Sequence, residues 1–319
     1  MVKPLRVAFF GTPAFALTTL ERLHASSHDV ALVVTQPDRP RGRGQRLTPG
    51  PVKDFALHHN LPVLQPERLK DEPFVSRVEA AGLDLAVVAA YGRILPASLL
   101  GIPRLGFINV HASLLPRWRG AAPVHRAILA GDRETGVTIM RVVPTLDAGP
   151  MLAKRAVAIE DDDTSVTLER RLAAVGADLL RETVNRLSSG RVDDEAQDDS
   201  AVTYASRLER SESRIDWGAP ASVVHNQIRG LQPWPVAAVQ FNDKRLLLLQ
   251  SALDDRTHQS TPGTVLDVDR ESFVVACGEH ALRILRVQLE GRAPAAVREF
   301  LNGHRLQTGD VLRRLPAGP

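Results

Sequence analysis

Short apolar runs alternate with amphipathic stretches through the first half of the chain. Residues 6–11 read as a buried strand, and residues 13–26 as a helix with Leu17, Leu20 and Leu23 at helical spacing. Strands follow at 30–36, 62–65 and 85–92, separated by helices at 52–59 and 73–82. The pattern continues with a short helix at 96–100, a strand at 106–113, a helix at 122–131, and strands at 135–143 and 152–159. Apolar strands interleaved with helices predict an α/β domain built on a doubly wound, mostly parallel sheet. In that architecture ligands lie beyond the carboxyl ends of strands, where the strand order switches.

Residues 164–188 predict a long amphipathic helix, opened by Asp163-Thr164 as a cap. The texture then changes. Residues 188–200 are polar and acidic, with Val192 the one large apolar residue, and read as a surface linker. Strand signals dominate afterwards, at 237–241, 245–253, 264–268, 273–277 and 281–289, with helices at 221–229 and 294–302. Short strands with Gly-containing turns suggest a small β-barrel. The expected division is a first domain over 1–187, a linker over 188–207 and a second domain over 208–319.

The 319-residue length agrees with two domains at a prior of roughly 150 residues each. Hydrophobic content of 44% and charged content of 24% exclude a disordered or fibrous chain. Lys and Arg number 40 against 37 Asp and Glu, a net charge of +3, so any nucleic-acid surface must come from local concentration of basic residues. Cys277 is the only cysteine, which excludes an intrachain disulfide and a Cys-based zinc site and fits a reducing, cytoplasmic compartment. Lys3, Arg6 and the apolar run after them superficially copy a secretory leader. Gly11-Thr12-Pro13 breaks that run and Glu21-Arg22 follow at once, so a strand, turn and helix explain it better. No uncharged run reaches the roughly 18 residues of a membrane span, and no membrane association is expected.

Five stretches carry candidate chemistry. Gly11-Thr12-Pro13 opens the first helix, where an anion can bind, but it is no G-x-G-x-x-G and equally suits a plain strand-to-helix turn. Asn109 and His111 lie two apart on a strand and share a face at its carboxyl end. An amide donates to a developing oxyanion and an imidazole exchanges protons near neutral pH, a pair suited to acyl chemistry; a satisfied core Asn–His pair is the alternative. The Pro- and Gly-bounded loop with Arg117, Trp118 and Arg119 suits a flat heterocycle with an anionic tail, or else a structural turn. Asp147, in a turn between two strands, can orient a histidine and stabilise its protonated form, or simply bond its own turn. Between Asp38 and Lys53, Arg39, Arg41, Arg43 and Arg46 crowd into a stretch kept irregular by Gly42, Gly44 and three prolines. Such a loop can follow a phosphate backbone, and its arginines can stack on bases. No H-E-x-x-H spacing occurs among the ten histidines, and no metal is expected.

The run G-F-I-N-V-H-A-S-L-L-P-R-W-R-G-A-A-P, with L-D-A-G downstream, resembles the folate-dependent formyltransferases. The opening F-F-G-T-P-A-F-A, the loop Q-P-D-R-P-R-G-R-G-Q-R-L, A-A-Y-G-R-I-L-P, T-Y-A-S-R-L before R-I-D-W, and I-R-G-L-Q-P-W-P-V-A are similar to the tRNA-directed branch of that family. The resemblance covers essentially the whole chain. It implies a Rossmann-like catalytic domain and an OB-like barrel. It implies a bacterial enzyme of translation initiation that moves a formyl group from 10-formyltetrahydrofolate to the amino group of methionine on initiator tRNA. By position it implies that Asn109, His111 and Asp147 are catalytic, that Ser113, Leu114, Leu115 and Pro116 border the folate, and that Arg41 and Arg43 reach the tRNA acceptor stem. Arg39, Arg46 and Arg207 join them as expected tRNA contacts, and a monomer is expected. Two positions depart from the family's usual residues. Thr145, with an unusual Pro144 beside it, stands where a small residue, often Gly, is common before Asp147, and Arg207 stands where Lys is common, replacing a point charge by a planar fork.

Three other readings bear on the same residues. A folate formyltransferase acting on a small amine would keep Asn109, His111 and Asp147 but lack the basic loop and the barrel. A non-catalytic RNA-binding relative has no use for all three polar residues. A dinucleotide-dependent oxidoreductase lacks its glycine fingerprint here.

Overall fold

The computed structural model describes residues 3–41 and 46–316. Its backbone forms two compact units. One holds the described residues of Met1–Pro123, with Thr135–Ala158 and Glu169–Ala205; the other holds Val124–Glu134, Ile159–Leu168 and the described residues of Ser206–Pro319.

In chain order the first elements are β1 (Arg6–Gly11), α1 (Ala14–His24), β2 (Asp29–Val34), β3 (Arg39–Arg41), β4 (Arg46–Thr48), α2 (Pro51–His58) and β5 (Val63–Leu64). Next come α3 (Glu72–Ala80), β6 (Leu85–Ala89), α4 (Ala97–Leu100), β7 (Phe107–His111), β8 (Arg119–Gly120) and α5 (Pro123–Leu129). β9 (Glu134–Arg141), β10 (Met151–Ala158), α6 (Ser165–Ser188) and β11 (Tyr204–Ala205) follow. The main sheet of the first unit has seven strands in the order β10-β9-β7-β6-β1-β2-β5. β1 runs parallel to β2 and β6, β6 to β7, and β2 to β5, while β9 is antiparallel to β7. This is the Rossmann-like, mostly parallel sheet expected from the alternation of apolar runs and helices.

β1 explains its own sequence. Phe9 and Phe10 point to opposite faces, and both are fully buried. A strand covered on both faces reads as a continuous apolar run rather than an alternating one. Phe10 meets Tyr91 and Phe107 edge-on, with ring centroids 5.6 and 5.3 Å apart. At the end of β1, a Cβ on Gly11 would lie 2.7 Å from the Ala16 Cβ and 2.8 Å from the Ala89 carbonyl oxygen. Glycine is therefore required there by the convergence of β1, α1 and β6. Strand order switches at β1, since β2 and β5 extend to one side and β6 and β7 to the other. The crevice where such sheets hold ligands opens between β1 and β6, and β7 ends one strand further out on the same carboxyl edge.

The basic stretch is more regular than its glycines and prolines suggest. Its flanks pair as an antiparallel ladder, Arg39 with Thr48, Pro40 with Leu47 and Arg41 with Arg46. An isolated two-stranded ladder tolerates Pro40 because an edge position can do without its N–H. Residues 42–45, Arg43 among them, lie outside the described residues.

The second unit contains α7 (Ala221–Gly230), β12 (Ala238–Phe241), β13 (Lys244–Asp254), β14 (Val265–Val268), β15 (Phe273–Ala276), β16 (Ala281–Leu289), β17 (Ala295–Ala296), α8 (Val297–Gly303) and β18 (Arg313–Arg314). Its strands pair antiparallel in the order β14-β15-β16-β13-β12-β18, with β17 on β16. Register shifts between Leu248 and Ser251 bend β13, the longest strand, so the sheet curls around a core that includes Trp217, Leu248, Phe273, Ile284 and Phe300. The result is a small OB-like β domain.

His225, on α7, is held by the Ser251 hydroxyl at 2.9 Å and by the Asp161 carbonyl, which accepts from Nε2 at 3.1 Å. Burial pushes its imidazole below the usual histidine value. The folded chain keeps this ring neutral, and the unfolded chain takes up a proton once pH falls below about 6.5. Its contribution to stability is therefore complete above that pH and lost as pH falls towards the lower folded value. We expect the melting temperature to drop between about pH 7 and pH 5, and to drop less steeply in His225→Gln. Equal slopes in the two proteins would refute the assignment.

Candidate active site

Asn109 sits in the middle of β7, with Val88 of β6 on one side and Met140 of β9 on the other. His111 ends the strand. Strand alternation sends both side chains to one face and Val110 to the other, where it meets Gly176 of α6. Asn109 is half-buried, and among the described residues its side-chain amide has no hydrogen-bond partner.

The imidazole of His111 is held from two sides. Nε2 lies 2.9 Å from the Trp118 carbonyl oxygen, and Nδ1 lies 3.7 Å from Oδ2 of Asp147. A carbonyl only accepts, so Nε2 carries a proton and donates it. In the neutral ring Nδ1 then presents a lone pair to the carboxylate. The 3.7 Å gap is too long for a direct hydrogen bond, though both side chains are largely enclosed, at 6% and 14% exposure.

Two turns supply the partners. In the first, the Ser113 hydroxyl donates to the Arg117 carbonyl at 2.6 Å, and the Thr138 hydroxyl donates to the Ser113 carbonyl at 2.7 Å. The Leu115 N–H donates to the Thr138 hydroxyl at 3.1 Å, and the Leu115 side chain packs with Met140 and Met151. Trp118 adopts φ 66°, a left-handed conformation that aims its carbonyl at His111. That turn is tied to Thr203, which accepts from the Trp118 N–H through its hydroxyl and from the Arg119 N–H through its carbonyl, both at 2.9 Å. β8 and β11 then run parallel, Arg119 beside Tyr204 and Gly120 beside Ala205.

In the second turn Asp147 adopts φ 47°, and its Oδ2 accepts from the Gly120 N–H at 2.9 Å. The carbonyls of Asp147 and Gly149 both accept from Nε2 of Gln197, each at 2.8 Å. A Cβ on Gly149 would fall 1.9 Å from the Arg141 carbonyl oxygen, so the turn lies hard against β9. Pro144 and Thr145 are accommodated, the Thr145 carbonyl accepting from the Ala148 N–H at 3.4 Å.

His111 and Asp147 come together at the end of β7, and Asn109 lies two residues earlier on the same face of that strand. The four residues expected at a folate divide. Ser113 and Leu115 are buried within the loop and its core, whereas Leu114 and Pro116 are half-buried. Arg119 departs from its reading as a loop cation open to an anion. Its buried guanidinium is committed to Gln197 Oε1 at 3.0 Å and to Asp199 at 3.1 Å. Arg117 is exposed, with its guanidinium 4.4 Å over the Trp118 ring. Of the expected tRNA contacts, Arg39 is exposed in the first unit and Arg207 in the second. Arg41 and Arg46 are described by their backbone alone. Cys277 is buried in the second unit, where burial pushes its thiol up to about 12, far from a reactive thiolate.

Sequence reasoning missed the Trp118 carbonyl, the Gly120 N–H, Gln197 and Thr203. The first two are backbone groups, present at every residue and invisible to a motif. The other two lie in the segment read as a surface linker. Its residues Glu195, Gln197, Thr203 and Ala205 bond to β10 and to the two turns. The missed signal was a Gln and a Thr among acids in a stretch whose backbone had to be satisfied somewhere.

Residues 5–184 match the family model described as formyl transferase, and residues 207–305 match formyl transferase, C-terminal domain. The chain is 49% identical over 302 residues to a methionyl-tRNA formyltransferase of Methylococcus capsulatus, covering 95% of this chain and 98% of that protein. Among solved structures it resembles an N-formyltransferase from Helicobacter canadensis, crystallised with folinic acid and dTDP-3-aminofucose. That match has a TM-score of 0.67 at 17% identity, over 88% of this chain and 98% of that one. It also resembles HypX from Aquifex aeolicus in complex with tetrahydrofolic acid, with a TM-score of 0.65 at 16% identity. That match covers 94% of this chain and 47% of HypX, so the chain spans about half the length of HypX. At such identities the two structures speak for the fold alone.

Proposed function

We infer the chemistry of the site from its family: the chain belongs to the methionyl-tRNA formyltransferases, and it transfers a formyl group to the amino group of methionine carried by initiator tRNA. The donor is 10-formyltetrahydrofolate. The observation that supports this reading is the meeting of the His111 imidazole and the Asp147 carboxylate at the carboxyl end of β7, with the uncommitted Asn109 amide two residues earlier on the same strand face.

As the uncharged amine attacks the formyl carbon, negative charge builds on the formyl oxygen. Asn109 donates its amide to that oxygen, a contact worth about 3–4 kcal/mol in comparable oxyanion holes. His111 keeps its Nε2 proton on the Trp118 carbonyl, so Nδ1 is the nitrogen that exchanges a proton. Asp147 faces Nδ1 and stabilises the ring once both nitrogens are protonated. The proton lost by the amine passes through Nδ1 and returns to the leaving folate nitrogen, with no covalent enzyme intermediate. Arg39, Arg41, Arg43, Arg46 and Arg207 neutralise tRNA phosphates. The protein acts in the cytoplasm, and a single cysteine without a partner thiol suits that reducing compartment.

The direct test is incubation with charged initiator tRNA and 10-formyltetrahydrofolate, reading N-blocked methionine. Wild type should accumulate it, and Asn109→Ala and His111→Ala should each lower kcat by about 100- to 1,000-fold at saturating substrates. Losses below about tenfold in both would overturn the oxyanion assignment. Binding of tRNA over a range of salt tests the basic stretch. Replacing Arg41 and Arg43 together should flatten the slope of log affinity against log salt by about one unit per lost phosphate contact, and an unchanged slope would remove both from the interface.

A further inference from the structure

One side chain touches both turns that hold His111, and it comes from the segment with the texture of a linker. Gln197 donates to the carbonyls of Asp147 and Gly149, each at 2.8 Å, and accepts at Oε1 from Arg119 Nε at 3.0 Å. A primary amide has two N–H donors and one carbonyl, and all three are used here. Arg119 in turn lies between the two residues that matter in the first turn. Trp118 presents its carbonyl to His111 Nε2, and Gly120 presents its N–H to Asp147. The bridge therefore closes a ring of contacts that runs from His111 through Trp118 and Arg119 to Gln197, and back through Asp147.

The second turn needs such a strut. Asp147 is held at φ 47°, in the left-handed region that residues with a Cβ seldom adopt and that aspartate tolerates better than most. Its position decides how far the carboxylate stands from Nδ1. Nothing else of Gln197's size supplies the same bonds. Glutamate has no N–H to give and would set an anion against two carbonyl oxygens. Asparagine keeps the amide but is one methylene short. Methionine keeps the bulk and none of the bonds.

We propose that Gln197 is a positioning residue for formyl transfer: by bridging the carbonyls of Asp147 and Gly149 to Arg119, it sets the separation of the Asp147 carboxylate from Nδ1 of His111. It touches no reacting atom, and the proposal rests on the reading of His111 and Asp147 as the proton-handling pair.

The test compares full-length wild type, Gln197→Met, Gln197→Glu, Asp147→Asn and the Gln197→Met/Asp147→Asn double variant, each with methionyl-tRNA and 10-formyltetrahydrofolate. Both Gln197 variants should lose about ten- to a hundredfold in kcat. Their KM for methionyl-tRNA should stay within about twofold, and the pH dependence of kcat should shift. In the Asp147→Asn background the Gln197→Met change should cost little more, because both act through one contact. A Gln197→Met protein with wild-type kcat and pH profile, beside an Asp147→Asn protein that has lost activity, would overturn the proposal while leaving the site reading intact. Additive losses in the double variant would overturn it equally, as a general structural effect. A fully active Asp147→Asn protein would instead remove the site reading and this inference with it. Should Gln197→Met not fold, Gln197→Asn decides: a shifted pH profile with unchanged KM supports the bridge, and a wild-type profile contradicts it.

Discussion

The hydrogen bond from His111 Nε2 to the Trp118 carbonyl governs the site, because it decides where protons can go. A carbonyl oxygen cannot donate, so that nitrogen is never free to act as a base. All proton exchange is pushed to Nδ1, which faces the Asp147 carboxylate. In the neutral ring a lone pair and an anion oppose each other across that gap. A proton arriving at Nδ1 turns the opposition into an attraction. In the proposed reaction the pair receives a proton as the amine attacks and releases it when the folate nitrogen leaves.

Backbone held in left-handed conformations makes this arrangement possible. Trp118 and Asp147 both have positive φ, at 66° and 47°, and each places a group against His111 that a relaxed turn would aim elsewhere. Such conformations persist where surrounding bonds outweigh them. Thr203 ties the first turn through its hydroxyl and its carbonyl, Gly120 links the two turns, and Gln197 fastens the second. The bonds come from four stretches of chain, and the sheet brings them together. β7 places His111 at its carboxyl end, and α6 packs on the opposite face against Val110. In the proposed reaction, strain in the turns and rigidity in the sheet together aim the reacting groups before any substrate arrives.

What could be read from the chain follows from the range of each interaction. Period-two alternation placed Asn109 and His111 on one strand face, and continuous apolar runs marked the buried strands, because both patterns are local. Asp147 was readable as a carboxylate in a turn, but its approach to His111 bridges 36 residues and appears only in coordinates. Arg119 looked like a surface cation beside Trp118, whereas its guanidinium is buried among partners some 80 residues away. Gln197 lay among acids that signal a solvated segment, and nothing in composition distinguishes a glutamine that faces water from one that clamps a turn. The carbonyl of Trp118 and the N–H of Gly120 could not have been found at all, since a main-chain group carries no letter of its own. The basic stretch was legible in charge and not in form, since β3 and β4 pair through backbone bonds that glycines and prolines disguise.

The position of the proton on the His111 ring is the most direct check on this account. Long-range proton–nitrogen correlation spectra of the free enzyme, with the His111 signals identified by their loss in His111→Gln, report each ring nitrogen separately. The neutral ring should carry its proton on Nε2, with Nδ1 showing the shift of an unprotonated nitrogen. A neutral ring protonated on Nδ1 would contradict it, because the Trp118 carbonyl would then have no donor and Asp147 would hold the proton that the mechanism needs to move.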